Sequence, residues 1–473
     1  MFDYNMKLTD EQLEILNGAQ GATMAKVMQT LVMFGEFQGA TELVPITHLN
    51  GHLSTSFGIG TLKPLFEVME KLTDDEIKTV APFTVNPRPL DYTNVKCNFF
   101  ERIVFDKYLY NKQSLYESQL LKLGLKDKNA FTCTNFLDEV GNRPKYGDIL
   151  SWAESSSVIY ANSVIGARSN RNSTMIELFG NILGLVPNYG LLLDEERLAS
   201  TKIVFRLSRL FDAQAIGLVV AKVAKDEIVY ISGLDKHLGK ELSEKVKSYL
   251  KDFGASLSAV SDTGLYHIDN ITPEAKKFGN KLLKKDYKTV VIDDEAVQKA
   301  IKEIPVLWKD ENATPNLCFI GCPHLSLFQL NEWTKRIIDG LKATEHKKVV
   351  VKTVLLASPD VITKFEDTVN YDLLINAGVK LSSICPIMFT NNPKTKKRLI
   401  ITNSNKCRYF SSSRYYTNED IINIIVGKVQ SWKNLKVVSL PQVNGWVKPS
   451  LLKKSLIWWI LSTLVLTRKV SKQ

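Results

Sequence analysis

The sequence predicts an α/β protein with largely parallel sheets. Strand-like and helix-like segments alternate along most of the 473 residues, as they do when helices connect parallel strands. The chain is long enough for two to four domains, and its hydrophobic and charged fractions, 44% and 23%, are those of ordinary globular proteins. Polar loops follow several strand candidates, at the positions where such sheets bind ligands.

The first predicted elements are two helices. Thr9 can cap the first helix, and Gln12, three residues later, completes a capping box, so we expect the helix to begin here and to end near Gly18. The second helix is predicted at residues 22–35. A short apolar strand at residues 43–46 follows, and a glycine-rich loop comes after it.

Further strands are predicted where short runs are apolar or β-branched. In chain order they lie at residues 78–81, 203–205, 227–231, 288–292, 317–320, 348–356 and 372–375. Residues 157–164 are also apolar and β-branched, and residues 215–223 suit a buried strand or a buried helix. Polar helices are expected between the strands, at residues 240–253 and 329–341.

The net charge of +11 is concentrated at the C-terminal end of the chain. No acidic residue follows Asp420, whereas nine Lys and Arg residues do, which leaves a net charge of +2 for the rest. Nucleic-acid binding needs a basic patch on a folded face, so we expect no nucleic-acid partner. The apolar run at residues 455–466 is shorter than the about twenty residues of a spanning helix, so we expect no membrane partner.

Six cysteines lie at positions 97, 133, 318, 322, 385 and 407, too sparsely for a secreted disulfide scaffold. The N-terminal sequence has neither the charged-then-apolar layout of a signal peptide nor the arginine-rich composition of a transit peptide. We therefore expect a cytoplasmic protein whose thiols stay reduced and free to bind metal.

Polar candidates for a functional site are concentrated in residues 133–171, where Glu, Ser, Asn and Arg interrupt the apolar pattern. Glu154 and Ser155 offer a carboxylate and a hydroxyl, and Arg168 offers a guanidinium that suits a carboxylate or a phosphate. Lys406 ends a Thr-Asn-Ser turn after a strand candidate, which suits an anion as well. Together these groups favour one anionic, oxygen-rich ligand.

Three cysteines are the candidate metal ligands. Cys133, Cys322 and Cys385 lie in loop-like contexts, and proline, which restricts the turn, directly follows two of them. Thiolates hold iron–sulfur clusters, but buried free cysteines are common and no Cys-x-x-Cys pair is present, so a structural role stays open. Cys318, inside an apolar strand candidate, is expected to be structural.

The polar candidates have structural alternatives too. Glu154 and Ser155 can belong to a solvated helix turn. Arg168 can serve in a surface salt bridge, and Lys406 can be a solvated loop charge. A nucleotide-dependent oxidoreductase also fits the alternating elements, although no phosphate-binding glycine loop accompanies them.

Eight short motifs along the chain follow one family pattern. They are Leu8-Thr9-x-Glu11, Thr84-x-Asn86-Pro87, Thr132-Cys133-Thr134, Gly141-Asn142-x-Pro144, Trp152-Ala-Glu-Ser-Ser156, Gly166-Ala-Arg-x-Asn-Arg171, Gly321-Cys-Pro-His324 and Thr402-Asn-Ser-x-Lys406. Together they resemble the aconitase X family, and the resemblance covers nearly all of the chain up to about residue 425. The block from residue 132 to residue 171 is its most specific part.

The resemblance implies an aconitase-like fold, with three α/β subdomains and largely parallel sheets around a central cleft, and an iron–sulfur-dependent hydro-lyase. It implies that Cys133, Cys322 and Cys385 hold the cluster, of the 4Fe-4S or 2Fe-2S type. A cluster iron would act as a Lewis acid on a leaving hydroxyl while a base removes a proton from the neighbouring carbon. The substrate would be a small hydroxy acid, such as mevalonate 5-phosphate or a hydroxyproline.

The resemblance also implies a set of substrate-binding residues. They are Gly51, Ser54, Asn86, Pro87, Glu154, Ser155, Arg168 and Lys406. Glu154 and Ser155 are in addition the candidate catalytic residues of this chain. The base is expected on a small swivel domain or subunit, which is the implied partner.

The sequence departs from the family pattern at three places. Asn135 and Phe136 stand where the family has Pro and Tyr after a Cys-Thr pair. In the loop after His48, a shift of one residue is needed to bring Ser54 onto the family's serine. The basic tail, residues 428–473, resembles a truncated start of the swivel domain.

We therefore expect a large catalytic domain at residues 1–427 and a tail at residues 428–473. The predicted function is a hydro-lyase that works with a swivel partner. The alternative is a catalytically inactive remnant that acts as a binding or partner subunit.

Overall fold

The computed structural model describes residues 4–54, 59 and 62–428 of the chain. The helices are α1 (Asp10–Leu16), α2 (Ala22–Phe37), α3 (Lys63–Asp74), α4 (Phe99–Val104), α5 (Gln113–Leu123), α6 (Ser155–Tyr160), α7 (Thr174–Leu183), α8 (Ala213–Ala224), α9 (Asp235–Leu238), α10 (Glu244–Val260), α11 (Pro273–Phe278), α12 (Asp294–Lys302), α13 (Leu327–Ala343), α14 (Pro359–Glu366), α15 (Val369–Asn376), α16 (Pro386–Thr390), α17 (Asn405–Tyr409) and α18 (Asn418–Ile425). The strands are β1 (Leu43–Pro45), β2 (Gly51–Leu53), β3 (Phe83–Val85), β4 (Leu185–Pro187), β5 (Ala199–Arg206), β6 (Val229–Ser232), β7 (Tyr266–Ile268), β8 (Leu283–Asp293), β9 (Leu317–Leu325), β10 (Thr353–Ala357), β11 (Lys380–Ser382), β12 (Ile400–Thr402) and β13 (Arg414–Tyr415).

The first subdomain comprises residues 4–198, and its strands have three residues each. β1 pairs antiparallel with β4, whereas β2 pairs parallel with β3. α1 begins with the predicted capping box: the Gln12 N–H donates to the Thr9 hydroxyl at 3.3 Å, and the Thr9 N–H donates to Gln12 Oε1 at 3.2 Å. The sequence therefore predicts the start of the first helix correctly.

The second subdomain, residues 199–302, contains a parallel sheet in the strand order β7-β6-β5-β8. Its hydrophobic core includes Ile203 of β5 and Phe253 of α10. Val158 and Ile159 of α6 are buried in the same core, although α6 belongs to the first subdomain by sequence. Burying these apolar side chains fixes the start of α6 against the second subdomain.

The third subdomain, residues 303–428, contains a parallel sheet in the order β11-β10-β9-β12-β13. Every residue of the central strand β9 is buried. Cys318 lies in the core on one side of this sheet, and Phe319 contributes to the cluster of buried residues on the other. Three subdomains with largely parallel sheets confirm the predicted α/β fold class.

Some local predictions are wrong. Residues 78–81 form no strand; the strand is β3, five residues further on, where the chain runs beside β2. Residues 372–375 lie in α15 instead of a strand. Short apolar runs fit a helix or a strand equally well, and tertiary pairing decides between them.

The apolar segments around residue 160 and residue 220 are helical. Residues 215–223 lie within α8. A helix, α6, begins at Ser155 and continues as a π-helical turn at Ala161–Ile165. Gly166, at φ 81°, ends this turn in the left-handed conformation that glycine adopts most easily.

The basic tail beyond residue 428 and its apolar run at residues 455–466 lie outside the described residues. The predicted boundary between residues 427 and 428 therefore stays a prediction. Within the described part of the chain, every helix is too short or too polar to cross a bilayer.

Candidate active site

A buried ion pair between Lys406 and Glu154 joins the third subdomain to the first. Lys406 Nζ donates to Glu154 Oε1 at 2.7 Å, although the two residues are 252 positions apart. The same ammonium donates to Ser155 Oγ at 3.1 Å and to Ser156 Oγ at 2.5 Å. A cation, a carboxylate and two hydroxyls thus meet in one place, as an oxygen-rich anionic ligand requires.

Glu154 is held by its position at the start of α6. As the N-cap residue, it accepts the backbone N–H of Ser157 at its second oxygen, Oε2, at 2.7 Å. The Ser157 hydroxyl donates to Asn135 Oδ1 at 2.7 Å, which joins α6 to the segment after Cys133. One carboxylate oxygen therefore caps the helix while the other binds the lysine.

Lys406 is held by the turn between β12 and α17. The N–H of Cys407 donates to the Ser404 hydroxyl at 3.1 Å, so Ser404 caps α17. The N–H of Asn405 donates to Gln214 Oε1 at 3.0 Å, and Asn405 Nδ2 donates to Ser256 Oγ at 2.9 Å. The second subdomain thus supports the turn that carries the lysine.

The charges of this pair stabilise each other. Burial raises the pKa of Glu154, but the charge of Lys406 and its hydrogen bond outweigh burial, and the net shift is downward. Burial lowers the pKa of Lys406, but the charge of Glu154 outweighs this too, and the net shift is upward. Both groups are therefore ionised at neutral pH.

The three candidate cysteines lie beside this pair. Cys322 is buried, and Cys133 and Cys385 are half-buried. The backbone N–H of His324 donates to Cys133 Sγ at 3.4 Å, so the thiol of Cys133 lies next to the end of strand β9. Cys322 belongs to this strand as well, and not to the loop that the sequence predicted. The Cys385 N–H donates to the Arg88 carbonyl at 2.7 Å, directly after Pro87. The structure therefore brings the three cysteine segments together.

These thiols are close enough for their charges to interact. Burial raises the pKa of Cys133 to about 12, and burial also raises the pKa of Cys322 and Cys385. The charge of Lys406 acts to lower each of these three pKa values. The neighbouring Cys133 and Cys385 raise the pKa of Cys322 further. As free thiols they are neutral at pH 7, whereas a bound metal centre would hold them as thiolates.

The donor set is of the type that holds an iron–sulfur cluster. Cys133, Cys385 and, in strand β9, Cys322 are thiols from three separate segments of the chain. The cysteine ligands of such a cluster bind different iron atoms, so they need not meet at one point. Within residues 4–54 and 62–428, no three His, Cys, Asp or Glu side chains are grouped tightly enough to hold one metal ion.

Asn86 and Ser54 lie together on the first subdomain. Asn86 Nδ2 donates to the Ser54 carbonyl at 2.9 Å, and the Asn86 N–H donates to the Leu53 carbonyl at 3.0 Å. Asn86 Oδ1 is buried without a hydrogen-bond partner among the described residues. The amide therefore has an unused acceptor, as a group that binds a ligand does.

Gly51 and Pro87, both predicted to bind substrate, are buried against protein. A Cβ at Gly51 would lie 2.9 Å from Asn181 and 3.0 Å from Phe83, so close packing explains this glycine. Pro87 lies between Asn86 and Arg88. The Arg88 carbonyl accepts the backbone N–H of Cys385. Both residues thus shape the backbone next to the candidate site.

Arg168 is not brought to the ion pair. Its guanidinium donates to the Leu192 carbonyl at 2.5 Å and pairs with the exposed Asp194. This arrangement is the surface salt bridge that the sequence left open for Arg168. A substrate-binding role for this residue has no support in its contacts.

Comparisons with known proteins agree with these features. The family model described as the aconitase X first domain matches residues 5–195, and the model of the aconitase X second domain matches residues 201–302. The phosphomevalonate dehydratase large subunit of Methanocaldococcus jannaschii is 30% identical over 424 residues, which are 86% of this chain and 96% of that protein. This chain belongs to the aconitase X family.

Other aconitase X relatives are similar over much of their length. The phosphomevalonate dehydratase large subunit of Methanosarcina mazei is 29% identical over 85% of this chain and 91% of that protein. The cis-3-hydroxy-L-proline dehydratase of Pseudomonas aeruginosa is 24% identical over 84% of this chain and 65% of that protein. The crystal structure of Thermococcus kodakaraensis aconitase X in its holo-form matches with a TM-score of 0.72 at 26% identity, covering 89% of this chain and all of that one.

Three further residues near the ion pair or near Ser54 were not among the sequence candidates, although Ser156 lies inside a motif. Ser156 binds Lys406, as described above. His52 Nδ1 and Thr84 Oγ1 share a hydrogen bond of 2.9 Å. Burial lowers the pKa of His52 to about 4, although the charge of Glu154 acts to raise it. Glu177 is completely buried and binds Ser54.

One of these residues has a signal in the sequence. Glu177 is the only charged residue in the apolar run of α7, and a charge in such a run must find a polar partner inside the protein. His52 has no such signal, because a lone histidine in a strand is equally compatible with the core. Its nearness to Glu154 depends on the parallel bridge between His52 and Trp152, which lies two residues before Glu154.

Proposed function

We propose that this chain is the large subunit of an aconitase X dehydratase, which removes water from a small hydroxy acid together with a small swivel subunit. Its relatives are named phosphomevalonate dehydratase large subunits and cis-3-hydroxy-L-proline dehydratases. The observation that carries the proposal is the Lys406–Glu154 pair beside three neighbouring thiols. The substrate class is thus a hydroxy acid such as mevalonate 5-phosphate or a hydroxyproline.

Lys406 is the group proposed to bind the substrate's anion. It is the cation of the pair, and it donates hydrogen bonds to the side chains of Glu154, Ser155 and Ser156. A carboxylate or phosphate could replace a serine hydroxyl without breaking any backbone hydrogen bond. The unused acceptor of Asn86 would receive a substrate hydroxyl.

Glu154 and Ser155 are proposed to orient the ammonium and the substrate. The lowered pKa of Glu154 makes its carboxylate a weak base. Proton removal from carbon requires a stronger base, so we assign that step to the swivel subunit. This division explains why the relatives are named large subunits, which implies a smaller partner.

Cys133, Cys322 and Cys385 are proposed to hold an iron–sulfur cluster of the 4Fe-4S or 2Fe-2S type. When bound, such a cluster supplies a Lewis acid for the leaving hydroxyl. All six cysteines are free, as expected for a protein of the reducing cytoplasm, where we place this chain. Free thiols in that compartment are available to the cluster.

The test is co-expression of the chain with its genomic small subunit and anaerobic purification. We expect iron and sulfide in the complex, and dehydration of mevalonate 5-phosphate or cis-3-hydroxy-L-proline. Failure of both substrates in an iron-loaded complex would contradict the substrate class. Protein that stays colourless and iron-free after anaerobic reconstitution would instead support the inactive remnant.

The thiols allow a matched pair of variants. Cys322→Ser removes a proposed ligand, whereas Cys318→Ser changes a buried cysteine of the same strand that lies in the core. We expect Cys322→Ser to abolish the visible absorbance of the cluster and Cys318→Ser to retain it. An equal loss of cluster absorbance in both variants would show that the substitutions disturb strand β9 and that Cys322 is not a specific cluster ligand.

A further inference from the structure

Glu177 is a buried carboxyl that the proposed mechanism does not use. It lies on α7 between apolar side chains that enter the core of the first subdomain, among them Leu178 and Phe179. Its exposed fraction is 0%. In the part of the chain that the structure describes, Glu177 forms no ion pair, which is unusual for a buried acid.

The carboxyl binds the residue that ends β2. The Ser54 N–H donates to Glu177 Oε1 at 2.5 Å, and the Ser54 hydroxyl donates to the same oxygen at 2.8 Å. Thr174 Oγ1, one turn earlier on α7, lies 3.0 Å from Ser54 Oγ. The Ser151 hydroxyl, three residues before Glu154, donates to the Glu177 backbone carbonyl at 3.2 Å. Glu177 therefore lies between both segments that carry proposed substrate-binding residues.

Asn86 binds the same residue from the other side. Its Nδ2 donates to the Ser54 carbonyl at 2.9 Å. The N–H, the hydroxyl and the carbonyl of Ser54 are thus all fixed, the first two by Glu177 and the third by Asn86. A serine with every polar group engaged by buried partners has one defined position.

The remaining oxygen of Glu177 is unpartnered. Oε2 is buried and makes no hydrogen bond with the described residues. Burial raises the pKa of Glu177 well above its ordinary value, and the charge of Glu154 adds to this shift. Oε1 is the oxygen that accepts both hydrogen bonds from Ser54.

We propose that Glu177 is a positioning residue that fixes Ser54 beside the segment that carries Glu154. The inference rests on the proposed function, because it takes Ser54 and Glu154 to face the substrate. Glu177 supplies the acceptor oxygen that both donors of Ser54 bind. Loss of the acceptor would weaken substrate binding more than it slows the chemical step.

Two substitutions separate this role from catalysis. Glu177→Gln keeps the acceptor oxygen and replaces the acid O–H by an amide, whereas Glu177→Ala removes the acceptor. In the holo-complex, with mevalonate 5-phosphate or cis-3-hydroxy-L-proline as probe, we expect Glu177→Ala to raise KM about tenfold, as for the loss of a buried hydrogen bond, with a smaller change in kcat. Glu177→Gln should restore KM to within about threefold of the wild type.

Ser54→Ala provides the coupling control. If Glu177 acts through Ser54, the double variant of Ser54→Ala and Glu177→Ala should raise KM no further than the larger single effect. A loss of kcat in Glu177→Gln as large as in Glu177→Ala would overturn the proposal, because it would require an ionised carboxylate. An unchanged KM in a folded Glu177→Ala complex would overturn it as well.

Hydrogen exchange tests the contact without any activity. In the purified chain, we expect the Ser54 amide to exchange about tenfold faster in Glu177→Ala and at the wild-type rate in Glu177→Gln. This readout stays valid if neither substrate is turned over, so failure of the proposed function and failure of this inference are distinguishable. Equal exchange in all three proteins would contradict the role of Glu177 even in an active complex.

Discussion

Two of the buried ion pairs among the described residues connect different subdomains, and their surroundings differ. Arg197 and Glu274 have side chains that are 2% and 6% exposed, and their atoms Nε and Oε1 are 2.8 Å apart. Lys406 and Glu154 are 10% and 8% exposed, with 2.7 Å between Nζ and Oε1. The two pairs are therefore similar in burial and in length, and burial alone does not show which one belongs to a functional site.

The partners of Arg197 are mostly backbone. Its guanidinium donates to the carbonyls of Leu191 at 2.8 Å, Asn162 at 3.2 Å and Ala167 at 3.4 Å. These carbonyls cannot move away without distorting the chain. The Arg197–Glu274 pair thus joins the first and second subdomains as a fixed structural connection.

The partners of Lys406 are side chains, and three cysteines lie within range of its charge. Hydroxyls can be replaced by a ligand's oxygen, and the nearby Asn86 still has an unused acceptor. A candidate site therefore differs from a structural ion pair in two ways. A ligand can replace its hydrogen-bond partners, and a polar atom nearby lacks a hydrogen bond.

The largest expected effect is on the structural pair. Arg197→Met leaves the Glu274 carboxylate buried without its cation, so we expect the free energy of unfolding to fall by about 3–5 kcal/mol. Urea unfolding of the purified chain measures this loss. Cluster content and substrate binding should be normal in the fraction that remains folded.

Removing both partners sharpens this result. Arg197→Met combined with Glu274→Leu leaves no buried charge, and the remaining loss should be about 1–2 kcal/mol, because Leu191 and its neighbours lose a donor. A double variant no more stable than Arg197→Met would show that packing and not charge dominates here.

Lys406→Met should have a smaller effect on stability and a large effect on activity. Glu154 keeps its bond to the Ser157 N–H, but the proposed anion-binding cation is lost. We expect kcat/KM for the hydroxy-acid substrate to fall by about 10²–10³-fold, as when one charge-stabilising donor is removed from an active site. The steady-state kinetics of the complex give this value.

Lys222→Met is the matched control for Lys406. Lys222 pairs with Glu303 at 2.7 Å on the surface, where both side chains are about 40% exposed. Such pairs contribute about 0–1 kcal/mol, and this one is remote from the cysteines, so activity should be unchanged. A Lys406→Met complex as active as Lys222→Met would remove the main support for the proposed site.

The smallest expected effect concerns pH and the histidine beside the structural pair. Burial lowers the pKa of His267 to about 4, and its Nε2 lies 2.8 Å from the Arg197 carbonyl. Between pH 6.5 and pH 4 the unfolded chain therefore binds a proton that the folded chain does not, and stability is lost as the pH falls through this window.

His267→Gln should reduce that pH dependence. We expect the slope of unfolding free energy against pH to decrease by about 1 kcal/mol per pH unit, because one group no longer titrates on unfolding. Urea unfolding at several pH values between 4 and 7 measures it. A His267→Gln variant with the same slope as the wild type would refute the assignment.

Much of the fold could be predicted because the signals are local. Thr9 and Gln12 lie three residues apart, so their capping box is readable from the sequence. β9 is apolar over its length and is buried throughout. The strand expected at residues 78–81 shows the limit, because β-branched residues permit a strand but only a neighbouring strand stabilises one.

The candidate site was predictable where a motif named the residue. Glu154, Ser155, Lys406, Cys133 and Cys322 lie in motifs, and the structure brings them together. Cys385 was a candidate through its loop-like context before a proline. Arg168 lies in a motif as well, yet its partner is Asp194. Glu177 was missed, because its role depends on Ser54, which lies 123 positions away.

The sequence by itself determined the family, the α/β class and the chemical groups available for a site. Only the tertiary structure decided which of these groups meet. Local preferences act over a few residues, whereas the contact between Lys406 and Glu154 spans 252 positions and depends on how the three subdomains pack. Burial then sets the charge of each group, and burial exists only in the packed molecule.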